Sequence, residues 1–548
     1  MILSAAINVY LIIVLTGFSV AFKNFINRKE VEIYNLDIVY GLFFLIFVSL
    51  FLNFFFPLKY FLFLTIIIGT FFFIRGLLRK KIKINLIYHF IIIFLFTFII
   101  YKNEFNVDTP MYHLQIIKWL NTEKIVFGLS NLEIRFGSNS LWFNIISLLQ
   151  FKYKNFNSIY TFSLIPFSIL IYQLINIKKK LSYVFLVLSS SFVLLFSLLH
   201  PFLNGVILNH LNNTEVDTVG MVFFILTFFL FLKYFENENI ENLRLLTICS
   251  IICMTIKLSY IAVIVFPFFA LYKFHKKSLK NLFKDKLNLV MIMFIFFWMA
   301  KNIIISGCFI FLVNFTCFNL PWSPGLDEIE TYSKVVKGFA RDTRDRLRYM
   351  DFQHTIHTFN WFVPWFKDYA LSNAFLKIFS VVTLISLFLI KFFNSVNLLD
   401  KSFLRNKYYY LIFSTFFLPN FYIWFNAPET RFGWGLMIAL SCFFSSVIIF
   451  HFKYFKNKSF IILKYTMFTF LILLVFKNSS NYSFKNLIYP SMRPIDYSNI
   501  VKIDNFNGFE VYKSNNWKCY DFQEICVNKL KDNYRMFKKY QYFIFLKS

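Results

Sequence analysis

Several short segments of this sequence carry residue types that do chemistry. Asp108 stands directly before Thr109 and Pro110, a pair that predicts an N-cap and a proline at the first helical position, so a helix is expected from 110 to about 123. The dipole of that helix favours a carboxylate at its start and helps keep Asp108 ionised, and an ionised, positioned carboxylate can accept a proton from a hydroxyl. Helix capping is the plainer role, and Asp108 taken alone favours it. His113, one turn further, and Arg135, beyond the Gly128 turn, can bind an anionic group or contact lipid headgroups.

Other candidates lie far along the chain. Glu215 and Asp217 open an apolar run after Thr214, a candidate cap; they can form a second acidic site or serve only as dipole partners. Lys257 interrupts an apolar stretch in T-I-K-L-S at 255–259, where an ionisable residue is costly and marks a functional candidate, with snorkelling to headgroups as the alternative. Glu429 and Arg431 share the turn A-P-E-T-R-F-G at 427–433. They can pair with each other, which is worth little at a surface, or Arg431 can clamp a phosphate. The mixed-charge stretch 341–351 reads as a solvated helix, and His354 and His357 after it have no acidic ligand spacing around them. No Cys/His spacing suits a metal.

The elements that must position these residues are apolar. Of 548 residues, 58% are hydrophobic and 16% charged, against about 25% charged in soluble domains. Mean hydropathy is +0.60. Uncharged runs such as 88–101 and 184–199 recur at near-spanning length, which predicts an all-α polytopic membrane protein. Spans are expected near 1–21, 39–57, 60–77, 85–101, 156–176, 181–200, 217–234, 243–257, 259–273, 287–305, 373–392, 408–426, 434–453 and 459–476, about fourteen in all. The 82 Phe, with abundant Ile, Asn, Lys and Tyr, read as genome bias rather than aromatic chemistry.

A net charge of +29 implies no nucleic-acid partner, because Lys and Arg fall mostly in short patches between apolar runs, where they set orientation. Residues 1–21 lack a basic leader region and precede Lys23, Arg28 and Lys29, as a first spanning helix with its N-terminus outside would. The basic clusters 23–29, 75–83, 178–180, 273–286, 401–407 and 453–458 then share the cytoplasmic face, provided 139–151 does not span. That segment reads as an amphipathic helix in the interface. The first outer loop 102–155, the second outer loop 306–372 and a small C-terminal domain at 477–548 face outward, leaving 1–476 as the transmembrane domain. In an oxidising compartment Cys308 can pair with Cys317, and Cys519 with Cys526.

The runs D-T-P-M-Y-H-L-Q at 108–115, V-F-G-L-S-N-L at 126–132 and R-F-G-S-N-S at 135–140 resemble a little-characterised family of bacterial membrane proteins with a D-x-x-x-Y-H-L, V-x-G-L-x-N-L, R-x-x-x-N-S first loop. The resemblance continues at 214–218, 255–259, 305–308, 320–322, 427–433 and 519–526. An apolar helix followed by an outward loop with an acidic residue and two short interfacial helices is also similar to the opening of the GT-C glycosyltransferases. By analogy that implies a GT-C-like enzyme of the bacterial cytoplasmic membrane. It would move a sugar from a polyprenyl-phosphate-linked donor to an acceptor on the outer face. Asp108 would be the base and Asp217 a second catalytic acid, with Lys257, Arg431 and Arg135 on the phosphate and His113 and Glu429 among the substrate contacts.

No cofactor is firmly implied, and a divalent cation could share the phosphate. The expected partners are the donor lipid, membrane lipid and an unidentified acceptor. A polysaccharide or lipid-linked glycan translocase and an O-antigen-type polymerase stay open. A transporter should show internal repeats, and the acidic loop near 108 has no counterpart in the second half. A polymerase should carry a late basic, His-containing loop, which 306–372 supplies.

Overall fold

The computed structural model describes residues 1–27, 30–100, 106–153, 156–175, 180–198, 211, 213–274, 285–341, 359–396, 413–452, 495–506, 509–527 and 534–547, with a few single positions between 462 and 473. Helices α1 (Ile2–Asn27), α2 (Ile38–Phe55), α3 (Leu62–Leu78) and α4 (Leu86–Ile100) precede the first loop. That loop holds α5 (Leu114–Thr122) and α6 (Leu141–Leu148) and closes with the strand pair β1 (Lys152–Tyr153) and β2 (Phe156–Asn157). There follow α7 (Leu164–Tyr172), α8 (Leu181–Leu198), α9 (Val216–Glu236), α10 (Ile240–Ile256), α11 (Val265–Phe274) and α12 (Lys286–Ser306). The second loop contains α13 (Leu326–Arg341), and α14 (Ala374–Ser395), α15 (Leu418–Asn426) and α16 (Trp434–His451) complete the helical part. Among the described residues seven helices are long and apolar enough to cross a membrane, and three shorter apolar helices accompany them. The protein is a multi-pass, all-α membrane protein with a small C-terminal sheet region.

End contacts give the bundle two distinct poles. At one, Lys23 pairs with Asp37 at 2.9 Å and Arg244 with Asp285 at 3.0 Å, joining the end of α1 to the starts of α2, α10 and α12. The first loop, the second loop and the C-terminal strands gather at the other. There β3 (Ile500–Phe506), β4 (Phe509–Ser514) and β5 (Ile525–Val527) form one sheet, and β6 (Tyr534–Lys539) and β7 (Tyr542–Lys547) form a hairpin. The hairpin exchanges backbone hydrogen bonds with Phe127, whose N–H donates to the Phe543 carbonyl at 3.0 Å. Gly128, at φ 65°, follows directly; its N–H donates to the Ile304 carbonyl at 2.8 Å, and a β-carbon there would collide with the Phe545 carbonyl. Cys308 is bonded to Cys317 and Cys519 to Cys526, both at this pole, while Cys249, Cys253 and Cys442 are buried free thiols.

Several expectations change. Residues 156–163 are strand and 3-10 turn rather than spanning helix, and α7 is nine residues, about 13 Å against a hydrocarbon core of ~30 Å. The segment still runs from pole to pole: Lys152 meets Asp521 at one end, and the Tyr172 hydroxyl accepts from the Asn85 N–H at the other. Its backbone can leave the helix because it is buried in protein rather than exposed to lipid. Helix α6, expected to lie in the interface, is buried at all eight positions. Its polar residues are used internally: Ser140 accepts from the Trp142 N–H and Asn144 from the Lys301 amine at 2.6 Å. The span expected at 459–476, His354, His357 and most of 341–351 lie outside the described residues.

Helices α1 and α3 meet backbone to backbone. A methyl on Gly17 would collide with the Gly69 carbonyl, and one on Gly41 with the Leu15 carbonyl where α2 crosses α1. Small residues allow such approach between helices in lipid. Gly17→Val is expected to destabilise the detergent-solubilised protein by about 1–3 kcal/mol; a thermal-unfolding midpoint equal to that of the parent would show that the two helices do not touch there.

Candidate functional site

Asp108 precedes a five-residue π-helical turn, Thr109–His113, that leads into α5. The expected Thr109 cap does not form: Asp108 is already helical in φ and ψ and makes no capping hydrogen bond. Thr109 instead accepts from the Thr214 hydroxyl at 3.3 Å, and the Asn106 N–H donates to the Asn213 side chain at 3.1 Å. These two bonds tie the first loop to the start of α9. Thr214 likewise gives no cap to α9, whose preceding residue is Glu215.

Helices α9 and α10 are antiparallel neighbours joined by a three-residue turn, so the first turn of one lies beside the end of the other. Asp217 therefore faces Lys257, and their side chains form an ion pair. Gly220 lets the two approach, since a β-carbon there would press on the Tyr260 ring at 3.0 Å. The turn Thr430–Gly433 is pinned alongside: the Ser259 hydroxyl donates to the Phe432 carbonyl at 3.1 Å, and the Gly435 N–H donates to the Tyr260 hydroxyl at 3.1 Å. Arg431 consequently reaches Asp108, with its Nη1 2.7 Å from Oδ2, and brings its Nε within 3.9 Å of Asp217. Carboxylate and cation alternate along Asp108, Arg431, Asp217 and Lys257, and the Phe432 ring lies under the Lys257 amine at 4.3 Å.

The cluster is graded. Asp108 and Arg431 keep 22% and 23% of their side-chain surface exposed, whereas Asp217 keeps 5%, so the outer pair is the one a ligand meets first. Burial opposes ionisation of Asp108, but the charge and hydrogen bond of Arg431, with the charge of Arg135, outweigh it and hold the carboxyl below its ordinary range. Behind this pair, His113 and Glu215 are both buried, with Nδ1 3.9 Å from Oε1, and neither atom has a hydrogen-bond partner among the described residues. Burial, then the neighbouring Asp108 charge, pushes Glu215 up to about 8, and burial pulls His113 down to about 4. Both are therefore neutral near pH 7.

Two expected residues are held by partners outside the cluster. The Arg135 guanidinium is held by Glu133 in a fork at 3.0 and 3.3 Å, and its charge acts on Asp108. The Glu429 Oε1 accepts from the Tyr369 hydroxyl at 3.1 Å, which also meets Thr430 at 2.6 Å, and the Glu429 charge acts on Arg431. Glu133 was legible as an acid two positions before Arg135. Tyr112, a half-buried phenol beside Asp108 and Arg135, was marked by its place in the D-x-x-x-Y-H-L run, whereas Tyr369 carried no such signal. Among the described residues no group of three or more His, Cys, Asp or Glu is arranged to hold a metal ion.

Residues 1–438 match a family described as a domain of unknown function, DUF8201. The chain belongs to that family. The match contains Asp108, Asp217, Lys257 and Arg431 and stops before the C-terminal strands. Neither a curated protein nor a solved structure matches the chain.

Two outcomes follow for this DUF8201 protein. Lys257→Met leaves Asp217 buried with Arg431 3.9 Å away, and is expected to cost about 3–5 kcal/mol. Adding Asp217→Leu is expected to recover part of that loss; thermal unfolding of both variants in which the double is less stable than the single would contradict the pairing. Because Glu215 titrates near 8 when folded against an ordinary 4.5, its contribution to stability is complete below about pH 4.5 and disappears as pH rises to about 8. Glu215→Gln should therefore gain on the parent in unfolding temperature between about pH 5 and pH 8; a pH-independent difference would show that Glu215 is already ionised.

Proposed function

We propose that this chain is a glycosyltransferase that moves a sugar from a polyprenyl-phosphate-linked donor to an acceptor hydroxyl at the outer face of the bacterial cytoplasmic membrane. The observation that carries the reading is the convergence of Asp108, Asp217, Lys257 and Arg431, from four remote segments, at one pole of the bundle. That pole lies opposite Lys23, Arg244 and Lys286, and the positive-inside rule makes it the extracytoplasmic one. Two disulfides at the same pole fit an oxidising compartment. The architectural likeness of the first loop to GT-C enzymes is analogy and adds to the case only in that sense.

In this reading the donor phosphate enters against Arg431 and Lys257 and competes with the carboxylates that now neutralise them. Asp108, released from Arg431, accepts the proton of the acceptor hydroxyl as its oxygen bonds to the anomeric carbon. The bond from that carbon to the phosphate oxygen breaks with its electron pair left on oxygen, so the leaving polyprenyl phosphate gains a negative charge that the two cations stabilise. Asp217 holds Lys257 and Arg431 in place. Arg135, engaged by Glu133, orients Asp108 through its field rather than by contact.

In proteoliposomes supplied with polyprenyl-phosphate sugars, Asp108→Asn is expected to lower transfer by at least ~10²-fold with donor binding retained. Arg431→Ala should weaken donor binding itself. Full transfer by Asp108→Asn would remove Asp108 as the base. A wild-type protein that transfers sugar from none of these donors, yet carries lipid-linked glycan across the vesicle membrane, would replace the transferase by a translocase.

A further inference from the structure

A cavity of about 400 Å³ lies at the pole that carries the charge cluster, yet none of the cluster residues lines it. It is walled by Phe55 at the end of α2, Ile304 at the end of α12, Phe127 of the first loop, and Tyr542 and Ile544 of the C-terminal hairpin, with Lys539 at its edge. Both helices are long enough to span, so their last turns put the cavity at the boundary between hydrocarbon and headgroups. Its volume falls within the ~300–1,000 Å³ of ligand pockets, and its walls are aromatic and branched aliphatic, which suits an apolar chain and nothing polar.

The rim has the opposite character. The Lys124 amine lies 5.0 Å from the centre of the Tyr542 ring and the Lys539 amine 5.6 Å from that of Tyr540. Among the described residues neither amine has a carboxylate partner, whereas the adjacent Lys538 is neutralised by Glu123 at 3.0 Å. Two uncompensated cations therefore stand at headgroup level over an apolar chamber, an arrangement complementary to a phosphate bearing a hydrocarbon chain.

We propose that this cavity binds an anionic phospholipid of the surrounding bilayer, one acyl chain lying among Phe55, Phe127, Ile304 and Ile544 and the headgroup phosphate held by Lys124 and Lys539. A phospholipid fits better than a polyprenyl phosphate, because the cavity holds only about 400 Å³ and neither Asp108 nor Arg431 lines it. The site would anchor the hairpin, and with it the first loop, to the membrane. It stands independently of the transferase reading.

Native mass spectrometry of the full chain, titrated with phosphatidylglycerol or phosphatidylcholine, tests the site. The wild type should prefer phosphatidylglycerol. The double substitution Lys124→Ala with Lys539→Ala should reduce that preference by at least about tenfold while leaving phosphatidylcholine unchanged. Ile544→Trp, which fills the chamber and touches neither amine, should weaken both lipids. Equal phosphatidylglycerol binding by the wild type and the lysine double variant would overturn the proposal, as would preferential displacement of phosphatidylglycerol by polyprenyl phosphate.

Discussion

Charge in a low-dielectric setting must be neutralised, and the four-residue chain from Asp108 to Lys257 is how this protein does it. Each of those side chains would be costly where it stands if its neighbour were missing. Arg431 is the link, since it touches Asp108 and approaches Asp217 while Lys257 closes the far end. The first loop, the α9–α10 hairpin and the turn before α16 therefore cannot settle independently, and the site and the assembly of the bundle share one constraint. In the proposed reading, a donor phosphate would exchange places with the carboxylates rather than bring an unmatched charge into the protein.

The surroundings hold this chain in register by short-range hydrogen bonds. Thr214 and Asn213 fasten the start of α9 to the first loop, and Ser259 and Tyr260 fasten the end of α10 to the 430–433 turn. The C-terminal strands close the arrangement from above. The Gln115 amide donates to the Tyr520 carbonyl at 2.8 Å, the Lys118 amine to the Glu524 carbonyl at 2.9 Å, and the Tyr520 N–H to the Pro110 carbonyl at 2.8 Å. These contacts buttress the turn that carries Asp108, although the strands lie beyond the matched family region.

Much of the frame was readable because lipid imposes a strong pattern: long uncharged runs, with basic patches between them. The readings that failed were those in which protein replaces lipid or water around a segment. Helix α6 has the polar spacing of a surface helix, but Asn144 takes the Lys301 amine and Ser140 its own helix start, so those positions face inward. Residues 156–163, FNSIYTFS, were drawn into the expected span by the apolar run that follows them, yet they turn, because neighbouring elements cover their backbone. The contacts of Arg135 with Glu133 and of Glu429 with Tyr369 were likewise hidden, because hydropathy does not reveal partners in space.

The sequence by itself determined that this is a polytopic helical membrane protein, which segments join its helices, and that Asp108, Asp217, Lys257 and Arg431 are charges in costly places. Those properties are local, being set by composition over a window of about twenty residues. Only the tertiary structure decided that the four charges neutralise one another, that His113 and Glu215 stand behind them as a neutral buried pair, and that the C-terminal hairpin covers the first loop. Pairing depends on distances between segments as much as 323 residues apart, and those distances come from helix packing, in which glycines such as Gly17, Gly41 and Gly220 set how closely the backbones meet.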